Sequence, residues 1–219
     1  MSAGLVVDGR RVPVPGVELV TWADDPKRAP LVTDGRTRLR APTAIVLHAS
    51  RGAVGGVREG SRPSTQAERL ARYQVSTARD VSWHLTIDTD GTVLQQCDLS
   101  SWMAWHASSA NGWTIGVECV QHPDSGDLWS VQLDALVRVC DSVCSVLQIP
   151  RTVPVDASGR PHSGVVRAWQ ERSEGGRGER FSGLVGHRNL TRNRGPGDPG
   201  DAVFEALLRA GYSGALVPA

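Results

Sequence analysis

The sequence predicts a single α/β domain built around one sheet, and three observations carry that prediction. Apolar runs too short for helices, Ala44-Ile45-Val46-Leu47 and Thr114 to Val120, read as strands, as does the alternating run Ser82 to Asp88. Leu133, Leu136, Val137, Cys140, Cys144 and Leu147 fall on one helical face, so about 130–148 forms an amphipathic helix. The chain has 219 residues, 40% of them hydrophobic, which suits one core with extensions.

Residues 1–40 are rich in Pro, Gly, Asp and Arg and read as an N-terminal arm ahead of a domain spanning 41–212. Inside the arm, Val6 to Val12 predicts a short hairpin turned at Asp8-Gly9. Pro42 precedes the Ala44–Leu47 strand, and a Gly/Arg/Pro loop at 51–63 follows it. Thr65-Gln66-Ala67-Glu68 matches a capping box, and Leu70 and Tyr73 follow at helical spacing, so a helix is expected at about 64–76. Asp90-Gly91 turns the Ser82–Asp88 strand into a second one at Thr92–Gln96. Residues 151–182, rich in Gly, Arg and Ser, read as a loop insertion with a short helix around Val165 to Gln170. Asp198 to Ala210 closes the domain as a helix, with Pro199 and Asp201 in its first turn and Gly211 as its stop. Residues 213–219 read as a tail.

Charge excludes some functions. Lys plus Arg number 24 against 23 Asp plus Glu, a net charge of +1, so no bulk nucleic-acid or membrane-surface binder is indicated. No apolar stretch approaches the ~18 residues of a membrane span. Met1-Ser2-Ala3-Gly4-Leu5 lacks the basic and apolar regions of a signal peptide. A cytoplasmic location is therefore expected, or delivery to the cell wall by a route such as phage lysis or specialised secretion. Cys97, Cys119, Cys140 and Cys144 show no zinc-binding CxxC spacing and are expected to be buried, reduced thiols.

His48 ends the first apolar strand, His187 sits in Gly186-His187-Arg188-Asn189, and Asp198 opens Asp198-Pro199-Gly200. Two imidazoles and one carboxylate form a donor set for a catalytic zinc with one position open to water. An open zinc site in such a domain usually performs hydrolysis. Five stretches add to it in order: Ile45–His48, Ser82–Val93, Trp105-His106-Ala107, Asn111–Glu118, and Gly186–Arg188 through Asp198–Gly200. At these separations the chain resembles the zinc-dependent N-acetylmuramoyl-L-alanine amidases of the type-2 amidase and peptidoglycan-recognition-protein superfamily, from about 42 to 210.

The resemblance implies a mixed sheet flanked by helices, with Zn2+ in a surface groove. It implies cleavage of the amide between the lactyl group of N-acetylmuramic acid and L-alanine of the peptidoglycan stem peptide. His48, His187 and Asp198 take the three zinc-ligand positions. Animal and many phage relatives have Cys where this chain has Asp198, so its Asp-Pro-Gly resembles the bacterial muropeptide amidases. Glu118 matches the catalytic glutamate, a general base for the water proton. His106 and Trp105 match a groove-lining segment, with His106 expected to touch substrate or a ligand rather than zinc. Asn111 precedes the catalytic strand and either binds substrate or holds its own loop. His84 is expected to hydrogen-bond structurally, and His122 and His162 to be solvated.

Two departures matter. Trp83 stands where phage and animal relatives carry a catalytic Tyr, and an indole cannot act as a phenol does; Trp83 is expected to line the substrate site instead. Pro196 stands two residues before Asp198, where muropeptide amidases usually carry Lys, and the His187–Asp198 interval is about one residue longer than expected. Arg194 is the candidate replacement cation for the tetrahedral oxyanion. The partner expected is peptidoglycan or a muropeptide, met by a monomer. The competing reading is a recognition module that binds the same ligand without cutting it, as superfamily members lacking a zinc ligand do. A nucleobase deaminase is set aside because its His-x-Glu with Pro-Cys-x-x-Cys is absent.

Overall fold

A computed structural model describes residues 4–50, 66–120, 128–194 and 197–218. In chain order the strands and helices are β1 (Leu5–Val7), β2 (Arg10–Val12), β3 (Leu19–Thr21), β4 (Arg36–Thr37), β5 (Ala44–Ala49), α1 (Gln66–Ser76), β6 (Leu85–Ile87), β7 (Val93–Gln95), β8 (Trp102–Met103), β9 (Thr114–Cys119), α2 (Ser130–Leu147), β10 (Thr152–Val155), α3 (Arg167–Ser173), β11 (Gly183–Gly186), α4 (Asp201–Arg209) and β12 (Ser213–Leu216). The 51–63 loop, the Thr65 cap, His122 and Pro196 lie outside the described residues.

The central sheet is mixed, as expected, in the order β11-β5-β9-β6-β7-β3. β11, β5, β9 and β6 run parallel, β7 returns antiparallel to β6, and β3 pairs parallel with β7. Its two faces have different partners. Ile45, Leu47, Ile115, Val117 and Leu184 meet α2 and α4 through Leu136, Val139, Cys140, Val143, Val203, Phe204 and Leu207. Burying each large aliphatic side chain there contributes about 1.5–3 kcal/mol. The four cysteines are buried thiols, as expected.

On the opposite face two separate clusters form. α1 packs Ala67, Leu70 and Ala71 on Leu94 and Val20, and α3 packs Trp169 with Phe181 and Trp113 over Ala44, Val46 and Val185. A groove opens between α1 and α3, above the ends of β5 and β9.

The hairpin at Asp8-Gly9 forms as its turn chemistry requires, with φ of 52° and 70° at the two residues. The segment read as an arm packs against the rest of the chain. Leu5 and Val7 are buried in the main core, and β3 is the edge strand of the central sheet. The physical reason is pairing: Gln95 bonds both the N–H and the carbonyl of Val6, tying β1 to β7 at 2.7 Å each. The 151–182 segment is likewise not only a loop, since it holds β10 and α3. β10 pairs in parallel with β12, so four residues of the expected tail form a strand.

Candidate functional site

Parallel register brings the site together. His48 and Glu118 are direct partners between β5 and β9, so their side chains share a face. Gly186 pairs with Leu47, which places His187, the first residue after β11, beside His48. All three residues stand at the C-terminal ends of parallel strands, where open α/β sheets place their ligand sites.

Asp198 arrives from a turn and is pinned twice. Its Oδ1 accepts the Ala49 N–H at 2.8 Å, and its carbonyl accepts the Arg188 N–H at 2.9 Å. Those two donors neighbour His48 and His187 in sequence, so the same backbone that carries the imidazoles sets the carboxylate.

The donor atoms converge. His48 Nδ1 and His187 Nδ1 are 3.0 Å apart, and His187 Nδ1 is 3.5 Å from Asp198 Oδ2. One atom from each of the three lies within 4.8 Å of the others, and among the described residues this is the one such group. Two observations show that a metal ion fits. Asp198 is 1% exposed, and its Oδ2 has no hydrogen-bond donor, a costly state for a buried carboxylate oxygen. His48 is held neutral, its pKa well below 6.5, by burial and by the neighbouring imidazoles and Arg194, and neutral imidazole is the form that binds metal. Asp201, the next carboxylate along the chain, is instead paired with Arg188 at 2.7 Å.

Glu118 is 8% exposed and faces the same space. Burial pushes its carboxyl up to about 8; the charge of Asp198 adds to this, and Arg194 opposes it. Arg194 stands on the groove rim with Nε 3.7 Å from Asp198 Oδ2. The groove, about 1130 Å³, is also lined by Trp83, Trp105, His106 and Asn111.

These four differ in how far they face outward. Trp83 is largely buried, with its indole N–H donated to Thr86 Oγ1 at 2.7 Å. Trp105 is half-buried, bonded to Asp34 at 3.3 Å, with the Arg36 guanidinium 5.7 Å from its ring centre. Asn111 spends its side-chain oxygen on the N–H groups of His106 and Ala107 at 3.0 and 2.6 Å, which holds its own loop. His106 Nδ1 lies 3.1 Å from His48 Nε2. His84 accepts the Gly116 N–H on Nδ1 and faces the Trp102 carbonyl with Nε2, the structural role expected of it.

Two residues of consequence carried no sequence signal. Buried Arg38 bonds the carbonyls of Trp102, Asn111 and Thr114, at both ends of the segment that presents His106. It lies within the segment read as an arm, where nothing marks one arginine among many. Gly116 lies under the His106 ring: a Cβ there would sit 2.7 Å from Cγ of His106. Gly116→Ala is therefore expected to displace that ring and destabilise the protein by about 1–3 kcal/mol. Thermal denaturation checks this, and an unchanged melting temperature would mean that the ring yields freely.

Residues 38–201 match the family model described as N-acetylmuramoyl-L-alanine amidase (Amidase_2). A search of curated proteins finds no match to the sequence. Among solved structures, the fold is similar to Drosophila peptidoglycan recognition protein SD, with a TM-score of 0.54 and 18% identity over 86% of this chain and 94% of that one. It is similar to Drosophila PGRP-LB, with a TM-score of 0.55 and 14% identity over 90% and 96%. It is also similar to an endolysin N-acetylmuramoyl-L-alanine amidase, LysCS, from Clostridium intestinale, with a TM-score of 0.50 and 15% identity over 91% and 97%. At these identities the likeness to solved structures is one of fold.

Proposed function

The chain belongs to the N-acetylmuramoyl-L-alanine amidase family Amidase_2, and from that premise we propose that it is a zinc-dependent hydrolase of the amide between N-acetylmuramic acid and L-alanine in peptidoglycan or its muropeptide fragments. The observation that carries this reading is the convergence of His48 Nδ1, His187 Nδ1 and Asp198 Oδ2, an oxygen that accepts no hydrogen bond, with Glu118 facing the same groove.

The zinc these three side chains would hold supplies Lewis acidity, lowering the pKa of a water toward ~7 and polarising the scissile carbonyl. The protein's own groups do the proton work. Glu118 takes a proton from the attacking water and returns it to the L-alanine nitrogen as the C–N bond breaks. The products are a lactyl carboxylate and a free peptide amine. A base lifted toward neutrality by burial can both accept and release that proton near pH 7. Arg194, on the rim beside Asp198, is the cation available to the oxyanion. Trp83 and Trp105 offer apolar wall to the substrate, Asn111 and His106 a fixed floor.

Digestion of purified peptidoglycan and of a soluble muropeptide, with and without chelator and read by mass spectrometry, tests the proposal. Free stem peptides beginning at L-alanine, lost on chelation, are the expected result. Ligand binding without cleavage by the zinc-loaded protein would favour the recognition-module reading.

A further inference from the structure

We propose that His106 is a positioning residue: with Thr114 it fixes the proton of His48, so that the Nδ1 lone pair of His48 is held toward the metal site. The inference rests on the reading of His48, His187 and Asp198 as ligands.

Proton positions follow from one hydroxyl. Thr114 Oγ1 carries one hydrogen and donates it to the Ala110 carbonyl at 2.8 Å. The same oxygen is 3.2 Å from His106 Nε2, so in that contact the ring N–H donates and the hydroxyl accepts. A neutral imidazole has one N–H, which leaves His106 Nδ1 as an acceptor. His48 Nε2 lies 3.1 Å from that atom and therefore carries the His48 proton. The remaining lone pair of His48 is on Nδ1, the atom 3.0 Å from His187 Nδ1. Three hydrogen bonds thus carry a tautomer assignment from a backbone carbonyl to a ligand atom.

The surroundings hold this relay in place. Thr114 and Gly116 lie on the same face of β9 as Glu118; Gly116 leaves room for the His106 ring, and Arg38 bonds the carbonyls of Asn111 and Thr114. His106 is buried and reaches His48 with Nδ1 and Thr114 with Nε2, so both of its ring nitrogens are committed to the relay. Without it, His48 is free to place its proton on Nδ1, where it blocks a metal. Partners that orient metal-binding histidines this way are worth about 10–100-fold in metal affinity.

The test is a zinc titration against a competing chelator on the full chain and on His106→Leu, His106→Gln and Thr114→Val, with 15N imidazole spectra of the zinc-free protein. His106→Leu should lose about 10–100-fold in affinity. His106→Gln should recover most of it, because its amide oxygen can accept from His48 while its NH2 donates to Thr114. Thr114→Val should fall between them, and the wild-type spectrum should show His48 protonated on Nε2. Equal zinc affinity in all variants, or a wild-type His48 protonated on Nδ1, would overturn the relay alone. A wild-type protein that binds no zinc would overturn the ligand reading beneath it as well. If His106→Leu does not fold, Thr114→Val and the spectrum still decide.

Discussion

Replacing Glu118 with glutamine is expected to lower amide hydrolysis by about 10²–10⁴-fold while leaving the fold and zinc uptake intact. Glutamine has the shape of glutamate and can remain in the same buried site, but it cannot take a proton from water. Turnover measured beside the metal content of the same preparation separates the two effects. Near-normal turnover would remove Glu118 from the mechanism. Loss of zinc together with activity would mean that the carboxylate serves the metal rather than the water.

The same substitution changes stability in a pH-dependent way. In the zinc-free folded protein Glu118 keeps its proton up to about 8, against 4.5 for the ordinary side chain. Between those values the folded state binds more protons than the unfolded one, so stability falls as pH rises. Glutamine has no such dependence. In the presence of chelator, the melting temperature of Glu118→Gln should gain on that of the wild type from pH 4.5 to 8 and level off above. A constant gap would show that Glu118 is ionised in the folded protein at neutral pH. A bound cation favours the ionised form and should narrow the gap.

Asp198→Asn is expected to abolish high-affinity zinc binding, with a loss exceeding the ~10–100-fold of partners that only orient ligands, and to reduce hydrolysis to background. The asparagine oxygen can still accept the Ala49 N–H that Oδ1 accepts now. The second oxygen, buried and without a donor, becomes an NH2 group that cannot bind a metal. The substitution therefore removes a ligand while retaining the structural bond, and in chelator the melting temperature should not fall. Metal analysis after dialysis against zinc is the check. A fully metallated variant would show that another group is the third ligand, and Asp201 could take that place only by leaving Arg188.

Much of this was legible in the chain itself. The Asp8-Gly9 turn, the amphipathic α2 and the β6–β7 hairpin depend on neighbours in sequence, through turn geometry and side-chain periodicity, and each lies where those signals put it. The donor types at positions 48, 187 and 198 were legible for a chemical reason, since two imidazoles and a carboxylate are a set that could hold a metal ion, and the fold brings them together. The N-terminal segment was not legible. β1 and β3 have three residues each, and what recruits them is pairing with Gln95 and β7 more than seventy residues away.

Local patterns in the chain were enough for the β1–β2 hairpin, β5, β6, β7, β9 and α1 to α4, for an α/β domain, and for the side chains that could bind a metal. Long-range packing is what turns His106 toward His48, leaves room for it at Gly116, commits Asn111 to its loop and brings Arg38 into the site's support. Residue type and local spacing are written along the chain. The direction of a lone pair and the partner of a buried donor are properties of segments that meet only when the parallel register of β5, β9 and β11 is complete.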